Sequence, residues 1–231
     1  MMNIGGLHKV SLIDFPGKIS AIVFLQGCNF RCPYCHNPEL VSEKLYGPCI
    51  EEGDVLAFLE KRIGKLDAVT ITGGEPTLQE GLPEFIRKVR DLGFLIKLDT
   101  NGSHAAMIRS LIEGNLLDYI AMDIKGPLHH YDRVCRVNVD KGEIENSIRA
   151  IMGAAVDYEF RTTLVKDLLS AGDIQAMGEL IRGARLFVLQ NFVLSKTLDT
   201  RYLDRKPLSP SELDALKDKL SGYVNQVIIR D

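Results

Sequence analysis

Residues 20–26, Ser20-Ala21-Ile22-Val23-Phe24-Leu25-Gln26, run directly into Gly27-Cys28-Asn29-Phe30-Arg31-Cys32-Pro33-Tyr34-Cys35. The reading of the whole fold turns on this stretch. The first seven residues carry no charge and are rich in apolar side chains, the pattern of a strand buried on both faces. Gly27 ends the strand, and three cysteines then follow with the spacing C-x3-C-x2-C. A buried strand that opens into a chemically loaded loop is the unit to look for elsewhere in the chain.

The same unit recurs. Apolar runs lie at residues 68–72 (AVTIT), 95–100 (LIKLDT), 119–124 (YIAMDI), 159–165 (EFRTTLV) and 186–192 (LFVLQNF), and a last strand-like run lies at 223–229. Between them, residues 51–63, 83–92, 105–113, 142–155 and 171–181 have helical spacing, and 211–220 follows the N-cap signal Ser209-Pro210-Ser211-Glu212. Strand and helix alternate about six times, which predicts parallel strands joined by right-handed crossovers, as an α/β partial (β/α)6 barrel. Polar or Gly-rich punctuation ends each strand at the same side, so one site is expected at the carboxyl ends of the strands. No linker or repeat divides the chain, and a single domain over residues 1–231 is expected. Residues 194–210 read as a surface loop near the mouth of that site.

Composition narrows the class. The 231 residues include 28 Lys and Arg against 31 Asp and Glu, for a net charge of −3, without a basic run. Nucleic-acid binding is therefore not expected. No apolar run approaches the roughly 20 residues of a membrane helix, and the opening residues lack a secretion signal, so a cytoplasmic protein without membrane partners is expected. Five cysteines in such a chain favour metal or redox chemistry over a disulfide framework. Three thiolates on one short loop suit a 4Fe-4S cluster that keeps one iron open for another ligand. The alternative is structural zinc, with His36 or Cys49 completing a closed shell. Cys49 and Cys135 stand alone and read as ordinary, semi-buried thiols.

The cysteine loop after a first strand, followed by Gly73-Gly74-Glu75-Pro76 after a second, resembles the radical S-adenosylmethionine (SAM) enzymes, whose fold is a partial (β/α)6 barrel. The string from Gln26 to Glu39 is similar to the glycyl-radical-enzyme activases of that superfamily. The opening Ile4-Gly5-Gly6 and Val10 to Lys18 (VSLIDFPGK) resembles activating proteins of anaerobic ribonucleoside-triphosphate reductase.

This resemblance implies the following. Cys28, Cys32 and Cys35 hold the cluster, and the open iron chelates SAM, which is cleaved reductively to a 5′-deoxyadenosyl radical. Gly73 and Gly74 let backbone approach the methionine end of SAM, Glu75 pairs with its ammonium, and Pro76 completes the turn. Tyr34 lies near the adenine. Asp99, Thr100, Asn101, Asp123 and Lys125 form a polar wall, and Asp99, Thr100 and Asp123 together offer a place for a monovalent cation. Arg161, charged within a buried strand, must meet a carboxylate, either that of SAM or Asp123. Asp14 orders an incoming glycine loop of the partner. No side chain besides the cluster ligands is given a catalytic role.

The expected partners are a glycyl radical enzyme, foremost an anaerobic ribonucleotide reductase, and a flavodoxin or ferredoxin as electron donor. The alternatives are an activase of the pyruvate formate-lyase type, a small-molecule radical SAM enzyme, or a zinc-stabilised binding module. Ser221-Gly222-Tyr223 superficially resembles a radical-bearing glycine loop but reads better as a helix C-terminus. His129-His130, as neighbours with no acidic company in sequence, reads as a solvated pair.

Overall fold

The computed structural model describes residues 2–230, so the outermost residues of the expected domain, 1 and 231, lie outside the described residues. Eight strands form one open sheet in consecutive order. They are β1 (Ile4–Phe15), β2 (Lys18–Leu25), β3 (Ala68–Gly73), β4 (Leu95–Thr100), β5 (Tyr119–Asp123), β6 (Asp157–Leu164), β7 (Phe187–Asn191) and β8 (Val227–Arg230). From β2 to β8 every pairing is parallel, while β1 runs antiparallel to β2. The sheet does not close, since β1 and β8 are its two edges. The expected partial barrel is the architecture observed.

The helices are α1 (Pro38–Val41), α2 (Glu52–Glu60), α3 (Leu82–Asp91), α4 (Ala105–Glu113), α5 (Tyr131–Cys135), α6 (Lys141–Met152), α7 (Ala171–Leu180) and α8 (Pro210–Leu220). In α3, Leu82, Phe85, Ile86 and Val89 are buried at i, i+3, i+4 and i+7, giving one apolar stripe against the sheet. Both α7 and α8 start with capping boxes, Ser170 with Asp173 and Ser209 with Glu212, and the second is the N-cap signal read from sequence. No described helix is long and apolar enough to cross a membrane.

Alternation along the strands separates two environments. Val69 and Ile71, Ile96 and Leu98, and Ile120 and Met122 belong to one buried apolar cluster with the helices. The intervening positions, Lys97 and Asp99, Tyr119 and Asp123, and Glu159 and Arg161, therefore face the hollow of the barrel. That hollow is polar, which distinguishes it from the core of a closed (β/α)8 barrel.

Two elements differ from the expectation. Strand β1 was not anticipated, because its twelve residues hold Gly5, Gly6 and several exposed polar positions, and its pairing with β2 is broken by three register shifts. Short helix α5, between β5 and α6, is too brief for periodicity to reveal it.

Candidate active site

Every β-strand from β2 to β7 delivers its last residues to one rim, and the cysteine loop leaves the first of these. The loop has no regular structure and is held by its surroundings. Gly27 N–H donates to the Leu40 carbonyl at 2.8 Å, and Arg31 N–H to the Cys135 carbonyl at 2.8 Å. The Arg31 guanidinium donates to the carbonyls of Cys28 and Phe30 at 2.5 and 2.9 Å. From the opposite side, Leu198 N–H and Asp199 N–H donate to the carbonyls of Cys35 and Pro33 at 3.1 and 3.0 Å. The loop read as lying near the mouth thus clamps the cysteines directly.

Cys28, Cys32 and Cys35 are unpaired thiols that line one cavity of about 280 Å³. Phe30 N–H donates to Cys28 Sγ at 3.4 Å, with Asn101 Nδ2 at 3.9 Å on the same sulfur. Burial pushes the Cys28 thiol up to about 12 and raises that of Cys35. Cys32 moves the other way, because the Cys135 thiol hydrogen-bonds to it. A metal must displace the protons of the first two. Cys135 is fully buried and Cys49 is exposed, facing Gln26, so neither is the semi-buried thiol expected and neither lines this cavity. A donor set of three thiols on one face, with sulfur-directed N–H groups and no fourth thiol at the cavity, fits a four-iron cluster with one open iron. Closed structural zinc would need His36, which lines the same cavity but packs its ring against Phe192 with centroids 5.3 Å apart.

Tyr34, Gly73, Gly74, Asp99, Thr100, Asn101, Asp123, Lys125 and Arg161 line the same cavity. Gly74 is required for a reason beyond ligand access, since a Cβ there would sit 2.0 Å from the Gly27 carbonyl oxygen. At Gly73, with φ of +124°, a Cβ would lie 2.4 Å from Leu25 N. These glycines let the end of β3 press against the base of the cysteine loop.

Glu75 and Pro76 are not on the cavity wall. Glu75 is 1% exposed, and both of its carboxylate oxygens accept hydrogen bonds. Oε1 accepts from Thr77 N, Thr77 Oγ1 and Thr100 Oγ1 at 3.1, 2.5 and 2.6 Å, and Oε2 from Asn101 N at 2.6 Å. Burial raises its pKa, with the donors from Thr100 and Thr77 opposing. Glu75 therefore ties the loop after β3 to the loop after β4, with three hydrogen bonds accepted by Oε1 and one by Oε2.

Arg161 meets carboxylates, as its charge in a buried strand required. Its Nε donates to Asp123 Oδ1 at 3.0 Å and Nη1 to Asp99 Oδ2 at 3.2 Å. Lys125 binds Asp123 at 3.1 Å and Lys97 binds Asp99 at 2.5 Å. Burial would raise both carboxyls, yet the Arg161 charge, with Lys125, holds Asp123 at about 2, and Arg161 with Lys97 keeps Asp99 low. The place anticipated for a monovalent cation is filled by Arg161. Three cations already face two carboxylates, and Thr100 Oγ1 is turned to Glu75.

Lys97, Thr163, Gln190 and Cys135 complete or support the site without having been singled out as site residues, and His36, named only as a possible zinc ligand, lines it as well. Lys97 was readable, since it lies two positions before Asp99 on a strand and so shares its face. Asp14 lies elsewhere, on a second cavity of about 530 Å³.

Comparison with known proteins agrees with this chemistry. Residues 22–169 match the family model described as the radical SAM superfamily. A protein of Methanocaldococcus jannaschii, described as a candidate glycyl-radical enzyme activating enzyme, is 34% identical over 98% of this chain and 95% of its own length. The pyruvate formate-lyase-activating enzyme of Clostridium pasteurianum is 27% identical over 80% of this chain and 78% of its own. Among solved structures, Streptococcus suis SuiB superposes with a TM-score of 0.67 at 14% identity over 89% of this chain; the chain spans about half of SuiB, 47% of its length. With three thiols gathered at the end of β2 of an open parallel barrel, and a family match that runs from β2 into the loop after β6, this chain belongs to the radical SAM superfamily and to the family of glycyl-radical-enzyme activases within it.

Proposed function

We propose that this chain installs a glycyl radical on a partner protein, and that the partner is an anaerobic ribonucleoside-triphosphate reductase. The observation that carries the reading is the relation of two cavities. The 280 Å³ cofactor cavity and the 530 Å³ cavity share His36, Arg161, Thr163 and Gln190 as walls. The second cavity is lined by Ile13, Asp14 and Pro16 from the end and turn of β1 and by Arg230 of β8, the two edge strands that fail to close the barrel. A polypeptide loop can enter at such a gap and bring one residue to the cofactor.

When bound, a reduced cluster with SAM would supply the reductive carbon–sulfur cleavage and the radical chemistry that removes a hydrogen atom from the partner's glycine. The chain's own work is placement. Cys28, Cys32 and Cys35 ligate the cluster. The backbone of Gly73 and Gly74 lies against the methionine end of SAM, Asp99, Asn101, Asp123, Lys125 and Arg161 wall its ribose and carboxylate, and Tyr34 lies near the adenine. Lys125 and Arg161 suit that carboxylate. Asp14, which accepts a hydrogen bond from Ser11 Oγ, faces the entering loop. A flavodoxin or ferredoxin supplies the electron.

The choice of reductase rests on the resemblance of Ile4-Gly5-Gly6 and Val10 to Lys18. The pyruvate formate-lyase reading draws on the Clostridium relative. Both are tested by mixing the reduced protein and SAM with each candidate partner and recording the glycyl EPR doublet. A doublet on the reductase alone is expected; none on any partner, with free deoxyadenosine formed, returns the chain to small-molecule chemistry.

A further inference from the structure

We propose that His129, His130 and Asp173 form a binding site for a divalent transition ion of the Zn2+ class, separate from the cofactor site. Neighbouring side chains diverge on a strand, but residues Leu128–His130 form a 3-10 turn, and here the two imidazole centroids lie 4.3 Å apart. Both face Asp173, in the first turn of α7. Its Oδ1 lies 2.7 Å from His130 Nδ1 and 3.7 Å from His129 Nε2, and one ligand atom from each residue falls within 4.8 Å of the others.

The carboxylate is built to hold that pose. Asp173 is 6% exposed, and its Oδ2 accepts from both Ser170 N and Ser170 Oγ at 2.8 Å. One oxygen is locked and the other is aimed at two imidazoles, the outer-shell arrangement that orients ligating carboxylates. Ligand atoms around a tetrahedral zinc stand about 3.3 Å apart, given bonds of roughly 2.0–2.2 Å. The 2.7 Å pair must open and the 3.7 Å pair must close, each by less than about 1 Å, which side-chain rotation supplies. Two imidazoles and one carboxylate favour zinc or a neighbouring transition ion over magnesium or calcium. His130, Arg133 and Asp173 line a cavity of about 740 Å³ that shares no wall residue with the cofactor cavity and leaves room for a fourth ligand.

One cation opposes the ion. Arg133 Nη2 stands 3.4 Å from His130 Nδ1 and 4.0 Å from Asp173 Oδ2. It is more than half exposed and held only by the Leu168 carbonyl at 3.0 Å besides these contacts, so it is free to turn into solvent. The ion would tie the turn before α5 to the start of α7. Helix α5 ends at Cys135, whose carbonyl and thiol hold the cysteine loop, so the tie lends rigidity to the floor of the cluster site.

The test is anaerobic calorimetric titration of the cluster-loaded protein with zinc chloride. One zinc per chain is expected. His129→Gln and His130→Gln should each weaken binding more than tenfold while leaving iron content unchanged, and Arg133→Ala should tighten it. His129 is 64% exposed at its side chain, so its replacement does not threaten the fold, unlike that of the capping Asp173. X-ray absorption of the bound zinc should show nitrogen and oxygen ligands only. Absence of binding, unchanged affinity in both histidine variants, or sulfur in the zinc shell, as Cys49 would provide, overturns the proposal.

Discussion

Asp123 and Arg161 are register partners across the β5–β6 ladder, and their side chains meet as well, Arg161 Nε to Asp123 Oδ1 at 3.0 Å. A cross-strand pair at the carboxyl end of a parallel sheet thus becomes the centre of the Lys97, Asp99, Arg161, Asp123, Lys125 charge chain, of which all but Lys97 line the cofactor cavity.

Removing Arg161 should leave two buried carboxylates short of a partner. Loss of one member of a buried pair costs about 3–5 kcal/mol, and because Lys97 and Lys125 remain, the lower end is expected for Arg161→Gln. Urea unfolding of the cluster-free protein measures it. A loss below the range of ordinary surface changes would mean that the pair is solvated.

Asp123 also carries a pH dependence whose sign is set by its depressed pKa. The folded value of about 2 lies below the ordinary 3.8, so the stabilisation is complete above about pH 4 and is lost as pH falls towards 2. Its size is roughly 2.5 kcal/mol at about 1.4 kcal/mol per unit. The stability gap between wild type and Asp123→Asn, in cluster-free protein, should therefore shrink between pH 6 and pH 2.5. A constant gap would contradict the assignment.

Glu75→Gln separates a structural from a ligand role. With four hydrogen bonds accepted from Thr77, Thr100 and Asn101, the substitution should destabilise the cofactor-free protein by about 1–3 kcal/mol and disturb the Thr100-Asn101 wall indirectly. A residue that only binds the SAM ammonium would leave cofactor-free stability unchanged and weaken SAM binding alone.

Cys28→Ala, Cys32→Ala and Cys35→Ala should each abolish the brown colour and the complement of about four irons and four sulfides. Cys49→Ala and Cys135→Ala should retain iron. Iron and sulfide analysis after anaerobic reconstitution decides. Loss of iron in Cys49→Ala equal to that in Cys32→Ala would end the three-ligand reading.

Asp14→Ala should leave cluster content and uncoupled SAM cleavage near normal and sharply lower the glycyl radical yield at limiting partner. Asp14 lines the second cavity and not the first, so equal yields would reduce it to a local turn former capped by Ser11.

Local sequence determined the strands from β2 onward, the alternation with helices and the cysteine triplet. Each of these is written in short-range signals: uncharged apolar runs, capping residues and three thiols on one loop. Tertiary structure alone decided how the charges pair. Lys97, Asp99, Asp123 and Arg161 come from three strands and Lys125 from the loop after β5, and their contacts depend on parallel register, which no single strand encodes. The same holds for Glu75, whose residue type suits a ligand or a buried bracket equally until Thr100 and Asn101 arrive from the next strand. Cys135 and the His129, His130 and Asp173 cluster were illegible for a related reason. Their partners are 103 and 43 or more residues away in the chain, brought close only because α5 and α7 pack beside the cysteine loop and the turn that precedes α5. Periodicity records which face of an element is apolar; which polar groups meet across elements is a property of packing.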